Sequence, residues 1–263
     1  MTPASADVLS GLAKRAERAE LLAPQAAAAE APLRFAAGLY RAQRELARAL
    51  AAEPLSADLD AQAGPLLARA EPLFRHAVAG PPQLAEEARA RLQDDAQTAC
   101  TRLLVYWSGD PEARGDYLSR ALLKPWVELL AAERRQPVRE HREGTCPFCG
   151  GLPWVSARRI LPESHGAARL LHCALCAGQW DFPRIRCAAC GEADPHLLPS
   201  FQDEKHPAVR IEACDTCKRY LKSIDLSLDA RPIPEVDDLV SLALDLWAAE
   251  QGYQRIEPGL AGI

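Results

Sequence analysis

The chain has 263 residues, 36 Asp and Glu against 31 Lys and Arg, and a formal net charge of −5. That balance argues against a dedicated nucleic-acid binder, whose footprint is a basic surface. No stretch approaches the roughly 18 consecutive apolar residues of a membrane span. The N-terminus lacks the basic, apolar and cleavage segments of a secretory leader, so a cytoplasmic, reducing setting is expected.

Residues 1–140 read as an all-helical bundle domain of roughly five or six helices, rich in Ala, Leu, Arg and Glu. Leu33, Ala36, Ala37, Tyr40, Gln43, Leu46, Ala47 and Leu50 recur at helical spacing. Leu84, Ala88, Leu92, Ala96, Ala99, Leu103 and Tyr106 predict one continuous helix over about 83–107. Cys100 lies inside that helix without a partner motif and reads as a small buried apolar residue. Pro24, Pro54, Gly64-Pro65, Gly80-Pro81-Pro82 and Gly109-Asp110-Pro111 punctuate the helices. The polar run from Gln136 to Thr145 marks a domain boundary.

The other eight cysteines form four CxxC pairs: Cys146/Cys149, Cys173/Cys176, Cys187/Cys190 and Cys214/Cys217. The second four repeat the first four at a constant offset of 41 residues. This is a tandem duplication of a rubredoxin-like or zinc-ribbon unit, and it predicts two four-thiolate metal centres. A CxxC turn brings two sulfurs to one ion, and two such turns joined by a hairpin complete a tetrahedron. Gly150 and Gly191 follow the second cysteine of their pairs, where positive φ is useful.

Structural disulfides do not suit a reducing setting, and a thioredoxin-type CxxC stands alone rather than in ribbon spacing. Zinc and iron both accept four thiolates, and the sequence leaves the metal open. Sequential pairing is expected, one site from the first four cysteines and one from the last four. The alternative is a crossed arrangement joining Cys173 and Cys176 to Cys187 and Cys190.

Between the pairs, 154–157 and 169–172 read as strands flanking a turn at 162–166. In the second unit 196–201 and 208–212 flank a turn at 202–207. Tyr220-Leu221-Lys222 reads as a strand leaving the second site. Beyond Pro232-Ile233-Pro234, apolar periodicity predicts an amphipathic helix over about 237–250, with Asp237 and Asp238 as its cap. The expected fold is α+β: a helical domain over 1–140, rubredoxin-like modules over 145–183 and 184–230, and a C-terminal helix and tail over 231–263.

In this region the chain resembles the FdhE family of formate dehydrogenase accessory proteins. The match is carried by Cys146-Pro147-Phe148-Cys149-Gly150-Gly151-Leu152-Pro153, by Leu171-His172-Cys173-Ala174-Leu175-Cys176 with Trp180, and by Arg186-Cys187-Ala188-Ala189-Cys190-Gly191. It continues through Glu212-Ala213-Cys214-Asp215-Thr216-Cys217-Lys218-Arg219-Tyr220-Leu221-Lys222, then Asp237-Asp238-Leu239, Leu242-Ala243-Leu244-Asp245 and Glu250-Gln251-Gly252-Tyr253. Ala188 departs from the pattern, where proline would match the first knuckle. Arg15-Ala16-Glu17-Arg18 and Leu33-Arg34-Phe35-Ala36 resemble the family's helical region. The resemblance implies a cytoplasmic accessory protein with two iron-binding rubredoxin-like folds. It further implies contact with the catalytic subunit of a respiratory formate dehydrogenase before that subunit is exported.

No catalytic constellation is legible. His165, His172, His196 and His206 are scattered over the hairpins, and Asp203 and Glu204 read as a solvated turn. The same cysteines would also serve an electron-transfer module. A nucleic-acid ribbon is the third reading, from Trp154, Trp180, Phe182 and Tyr220 among basic residues. Residues 146–222 carry ten Lys and Arg against eight Asp and Glu, which is no basic stripe. Trp180, four residues past Cys176, is expected to shield a metal site from water.

Overall fold

The computed structural model describes residues 2–160 and 167–262. The turn expected over 162–166, with His165, lies outside the described residues. The architecture is α+β as expected, with an N-terminal helical region, a sheet that carries two four-cysteine clusters and a C-terminal helix. The chain divides into two compact units. One comprises the chain up to Leu21 with Arg34–Glu140, and the other Leu22–Leu33 with the chain from His141 onward.

Seven α-helices are described before residue 140: α1 (Pro3–Leu22), α2 (Glu30–Leu50), α3 (Leu59–Leu67), α4 (Glu71–Val78), α5 (Pro82–Arg91), α6 (Ala96–Ser108) and α7 (Tyr117–Ala132). Every residue of the apolar stripe read on α2 is buried, Gln43 included. Gln43 is tolerated there because its side-chain amide donates to the Ala121 carbonyl at 2.9 Å. Trp107 and Trp126 pack with ring centroids 5.2 Å apart. Glu128 accepts from Arg15 Nη1 at 2.9 Å and lies 3.1 Å from Lys124 Nζ, so this buried carboxylate faces two cations.

The helix expected over 83–107 is two helices. Asp95 adopts an extended backbone, and its side chain accepts from Thr98 N at 2.7 Å, opening α6 with an N-cap. The apolar periodicity stays in phase across this break, which hides it, and leaves Leu92 exposed. Cys100 is half-buried on α6 rather than fully enclosed.

Among the described residues, the second unit is built on one seven-stranded sheet. The first cysteine unit supplies β1 (Pro153–Ile160), β2 (Ala167–Cys173) and β3 (Gln179–Asp181). The second supplies β4 (Ser200–Gln202), β5 (Val209–Ala213) and β6 (Arg219–Asp225), and β7 (Gln254–Arg255) follows near the C-terminus. Strand order is β3-β2-β1-β6-β5-β4, with β7 added beside β6. Each unit folds as an antiparallel hairpin, and the two halves meet where β1 runs parallel to β6, with Val155 opposite Lys222 and Ala157 opposite Ile224. The segment expected as a strand over 196–201 is strand only from Ser200, because Pro195–Leu197 forms a 3-10 turn capped by Asp194.

The C-terminal helix is interrupted: α8 (Pro234–Asp237), a 3-10 turn over Asp238–Ser241, then α9 (Leu242–Glu250). Its apolar residues Leu244 and Ala248 pack with Ile211, Ala213, Tyr220 and Tyr253 on one face of the sheet. Trp247 meets Phe201 edge-on at 4.7 Å. The 3-10 turn over Ala27–Ala29 packs against the one over Asp238–Ser241, which explains why 22–33 belongs to this unit.

Candidate metal centres

The four CxxC turns share one local geometry. In each, the residue after the second cysteine has positive φ: Gly150 at 66°, Ala177 at 54°, Gly191 at 80° and Lys218 at 54°. Three of the turns close by a hydrogen bond back to the first cysteine of the pair, Gly150 N to Cys146 O at 2.9 Å, Gly191 N to Cys187 O at 3.0 Å and Lys218 N to Cys214 O at 2.9 Å, and in the fourth Cys173 N donates to Gly178 O at 2.9 Å. Glycine takes this conformation freely, whereas alanine and lysine hold it at a cost of about 1 kcal/mol each. Sequence reasoning found the two glycines and missed Ala177 and Lys218, since only the offset of 41 residues could have marked them as equivalent.

The turns bring the sulfurs together in two clusters, Cys146, Cys149, Cys173 and Cys176 in one and Cys187, Cys190, Cys214 and Cys217 in the other. This is the sequential grouping. Within each cluster every Sγ lies within 4.8 Å of the rest. In the first, Cys146–Cys176 and Cys149–Cys173 are 3.5 and 3.4 Å apart. In the second, Cys187–Cys217 and Cys190–Cys214 are both 3.7 Å apart. A tetrahedral centre with metal–sulfur bonds of about 2.3 Å spaces its sulfurs by about 3.8 Å, so both clusters fit one four-thiolate ion each. Backbone N–H groups aim at the sulfurs as well, Ala189 N to Cys187 at 3.3 Å and Gly178 N to Cys176 at 3.4 Å.

Four thiols this close cannot ionise together without a cation among them. Hydrogen bonds from Cys149, Cys173 and Cys176 drive the Cys146 thiol far below its ordinary range. Burial pushes Cys173 up, and the Cys146 and Cys149 sulfurs push Cys176 up. In the second cluster burial raises Cys187 and Cys217. Burial opposes ionisation of Cys214 too, but backbone N–H groups of Cys217 and Thr216 and the Cys190 thiol outweigh it and lower that group. Cys146 in the first cluster and Cys214 in the second are thus the thiols most inclined to ionise, and a divalent cation among the sulfurs would favour the thiolate form of its ligands.

The two clusters differ in exposure. All four cysteines of the first are buried, whereas Cys190 is exposed and Cys217 half-buried in the second. His172 belongs to neither cluster. Trp180 packs half-buried against the apolar cluster of Leu171, Ala188, Leu221 and Ile256.

Beneath α8 and α9 lies a cluster that the sequence did not reveal. Lys222 and Arg255 face Asp238 and Asp245, and all four side chains are buried. Asp238, expected to cap a helix, instead accepts from Arg255 at 2.8 and 3.0 Å. The backbone breaks into a 3-10 turn there, which aims its carboxylate at the sheet. Asp237 does take a terminal role, accepting from Ile233 N at 2.8 Å. The available signal was the seven-residue spacing of Asp238 and Asp245, which places both acids on one face.

A family model described as "FdhE, central domain" matches residues 145–184, and one described as "FdhE, C-terminal domain" matches residues 185–260. An FdhE homolog from Pseudomonas putida is 32% identical over an alignment covering 79% of this chain and 68% of that protein. Homologs from Aquifex aeolicus and Pseudomonas aeruginosa are each 36% identical, over 44% and 57% of this chain. Against these two the chain spans about half the relative's length or less, 41% and 50%. The crystal structure of the FdhE protein from Pseudomonas aeruginosa superposes with a TM-score of 0.64 at 28% identity, covering 95% of this chain and 94% of that one. With more than two thirds of a relative matched at this identity, and both cysteine clusters inside the matched segments, the chain belongs to the FdhE family.

Proposed function

We propose that this protein is an accessory factor that binds the catalytic subunit of a respiratory formate dehydrogenase and aids its maturation. The reading places it in the cytoplasm, before export of that subunit, and assigns it no catalytic reaction of its own. Among the described residues no helix is long and apolar enough to cross a membrane. The observation that carries the reading is the pair of four-thiol clusters on an FdhE-type chain. Cys146, Cys149, Cys173 and Cys176 would hold one metal ion, and Cys187, Cys190, Cys214 and Cys217 a second. Iron is favoured by the family resemblance, and zinc is the alternative. In domain terms we assign 1–140 to the helical domain, 145–183 and 184–230 to the metal modules, and 231–263 to the C-terminal helix and tail.

The exposed Cys190 favours a second reading, electron transfer, through the cluster that meets solvent. Four-thiolate iron changes its charge by one unit with little change in geometry. The metal separates the two readings. Two irons per chain whose visible bands bleach reversibly on reduction put electron transfer forward, while two zincs leave the clusters as scaffold. Deleting the gene tests the accessory role itself, and intact formate-dependent respiration in the deletion strain rules it out.

A further inference from the structure

The sheet face opposite α9 carries a cleft of about 230 Å³. Strand register fixes what lines it. Ile211 and Ala213 of β5, with Tyr220 and Lys222 of β6, point toward α9 and its flanking turn. Alternation therefore sends Arg210, Glu212, Arg219 and Leu221 to the other face. There Arg158 sits opposite Arg169 across β1 and β2. Arg184 and Arg186, from the link between the two cysteine units, complete a lining with six arginines.

Three of these cations are matched by carboxylates. Arg158 pairs with Asp225 at 3.5 Å, Arg169 with Glu212 at 2.8 Å, and Arg186 with Glu143. Arg169 is buried and held further by the carbonyls of Pro183 and Arg186 at 3.1 and 3.0 Å. The other three have no carboxylate partner among the described residues. Arg184 donates to the Ala167 carbonyl, Arg219 to the Arg255 carbonyl at 3.2 Å, and Arg210 to neither acid nor carbonyl. An excess of three guanidiniums converging on one concavity, in a chain of net charge −5, calls for an anion.

We propose that this cleft is a binding site for a phosphate-class oxyanion, free phosphate or a small phosphomonoester. Guanidinium forks match the oxygen spacing of such groups, and a dianion offsets most of the excess charge. The cavity is smaller than the roughly 300–1,000 Å³ of sites for larger ligands, which limits the occupant to a phosphate with a short substituent. Leu198, Leu221 and Ile256 supply an apolar wall for that substituent. The competing explanation is that the arginines only offset the charge of the second cluster, since Cys187 and Cys214 also line the cleft. Four thiolates around a divalent ion carry a net charge of about −2.

The test is calorimetric titration of inorganic phosphate into the full-length, metal-loaded chain at fixed ionic strength, with chloride as reference. Saturable binding is expected in the wild type. Arg210→Gln and Arg219→Gln should each weaken it about tenfold. Arg159→Gln, on β1 but outside the cleft, should bind as the wild type does. Metal content is measured on every sample. An Arg210→Gln protein with full metal and weakened phosphate binding supports the site. Absence of saturable binding in the wild type, or unchanged affinity in Arg210→Gln, overturns it. Loss of the second metal in Arg210→Gln together with a wild type that ignores phosphate assigns the arginines to the thiolate centre instead.

Discussion

Lys222 Nζ lies 2.6 Å from Asp245 Oδ2, and neither side chain reaches solvent. This contact joins the central strand β6 to α9. Lys222 also lies 3.1 Å from Asp238 and donates to the Asp238 carbonyl at 2.6 Å, while Tyr220 donates its hydroxyl to Asp245 at 2.8 Å. Two cations and two carboxylates balance, so the cluster is neutral as long as all four are present.

Lys222→Met leaves two buried carboxylates facing Arg255 alone. Breaking a buried pair from one side costs about 3–5 kcal/mol. Urea unfolding of metal-saturated protein should show that loss, and a midpoint equal to the wild type's would refute the assignment.

The same cluster predicts a pH dependence. Burial by itself would raise Asp238, but Arg255 and Lys222 outweigh it and hold this carboxyl below the usual carboxylate range. A folded-state pKa below the unfolded value of about 4 means the contribution is complete well above pH 4. It shrinks as pH falls past that value and is lost below the folded-state pKa. The stability gap between wild type and Asp238→Asn should therefore be widest near neutral pH and narrow in acid. A gap that stays constant down to pH 3 would contradict this.

Exposure of Cys190 and Cys217, against the full burial of the first cluster, predicts unequal metal lability. A chelator should remove one equivalent quickly and the second slowly. Cys190→Ser should abolish the fast phase and leave the slow one. Single-phase release of both ions would remove the distinction between the clusters.

Cys146→Ser combined with Cys149→Ser should lower bound metal by one ion per chain and destabilise the β1–β2 hairpin, because metal binding and folding are coupled in such modules. Unchanged stoichiometry would show that the first site is wrongly assigned.

Ala177 holds a left-handed backbone at 54° that its Gly150 and Gly191 counterparts adopt without strain. Ala177→Gly should raise the stability of the metal-loaded protein by about 1 kcal/mol. A loss of stability would mean that the Ala177 methyl contributes more than its strain removes.

Local chemistry was legible in the chain. The offset of 41 residues announced both cysteine clusters, and strand-like stretches flanking a run of turn residues marked the hairpin between the CxxC pairs of each unit. Boundaries were less so. The break at Asp95 was masked because Leu92 and Ala96 keep helical phase across it, and a cap of one side-chain hydrogen bond leaves little trace in the pattern. The strand over 196–201 was overextended because Leu197 and Leu198 look like strand residues, yet Asp194 caps a 3-10 turn there.

The sequence by itself determined that two four-thiol units exist, since their ligands lie close along the chain and their turns are closed by neighbours a few residues away. Only the tertiary structure decided that the two units share one sheet, through the parallel seam of β1 and β6. It alone decided that Lys222 meets Asp238 and Asp245, and that six arginines from four strands and a linker face one cleft. Those contacts join residues from separate segments of the chain, and register, burial and the neutralisation of charge in a low-dielectric interior select them. The local pattern goes no further than the seven-residue spacing that sets Asp238 and Asp245 on one face.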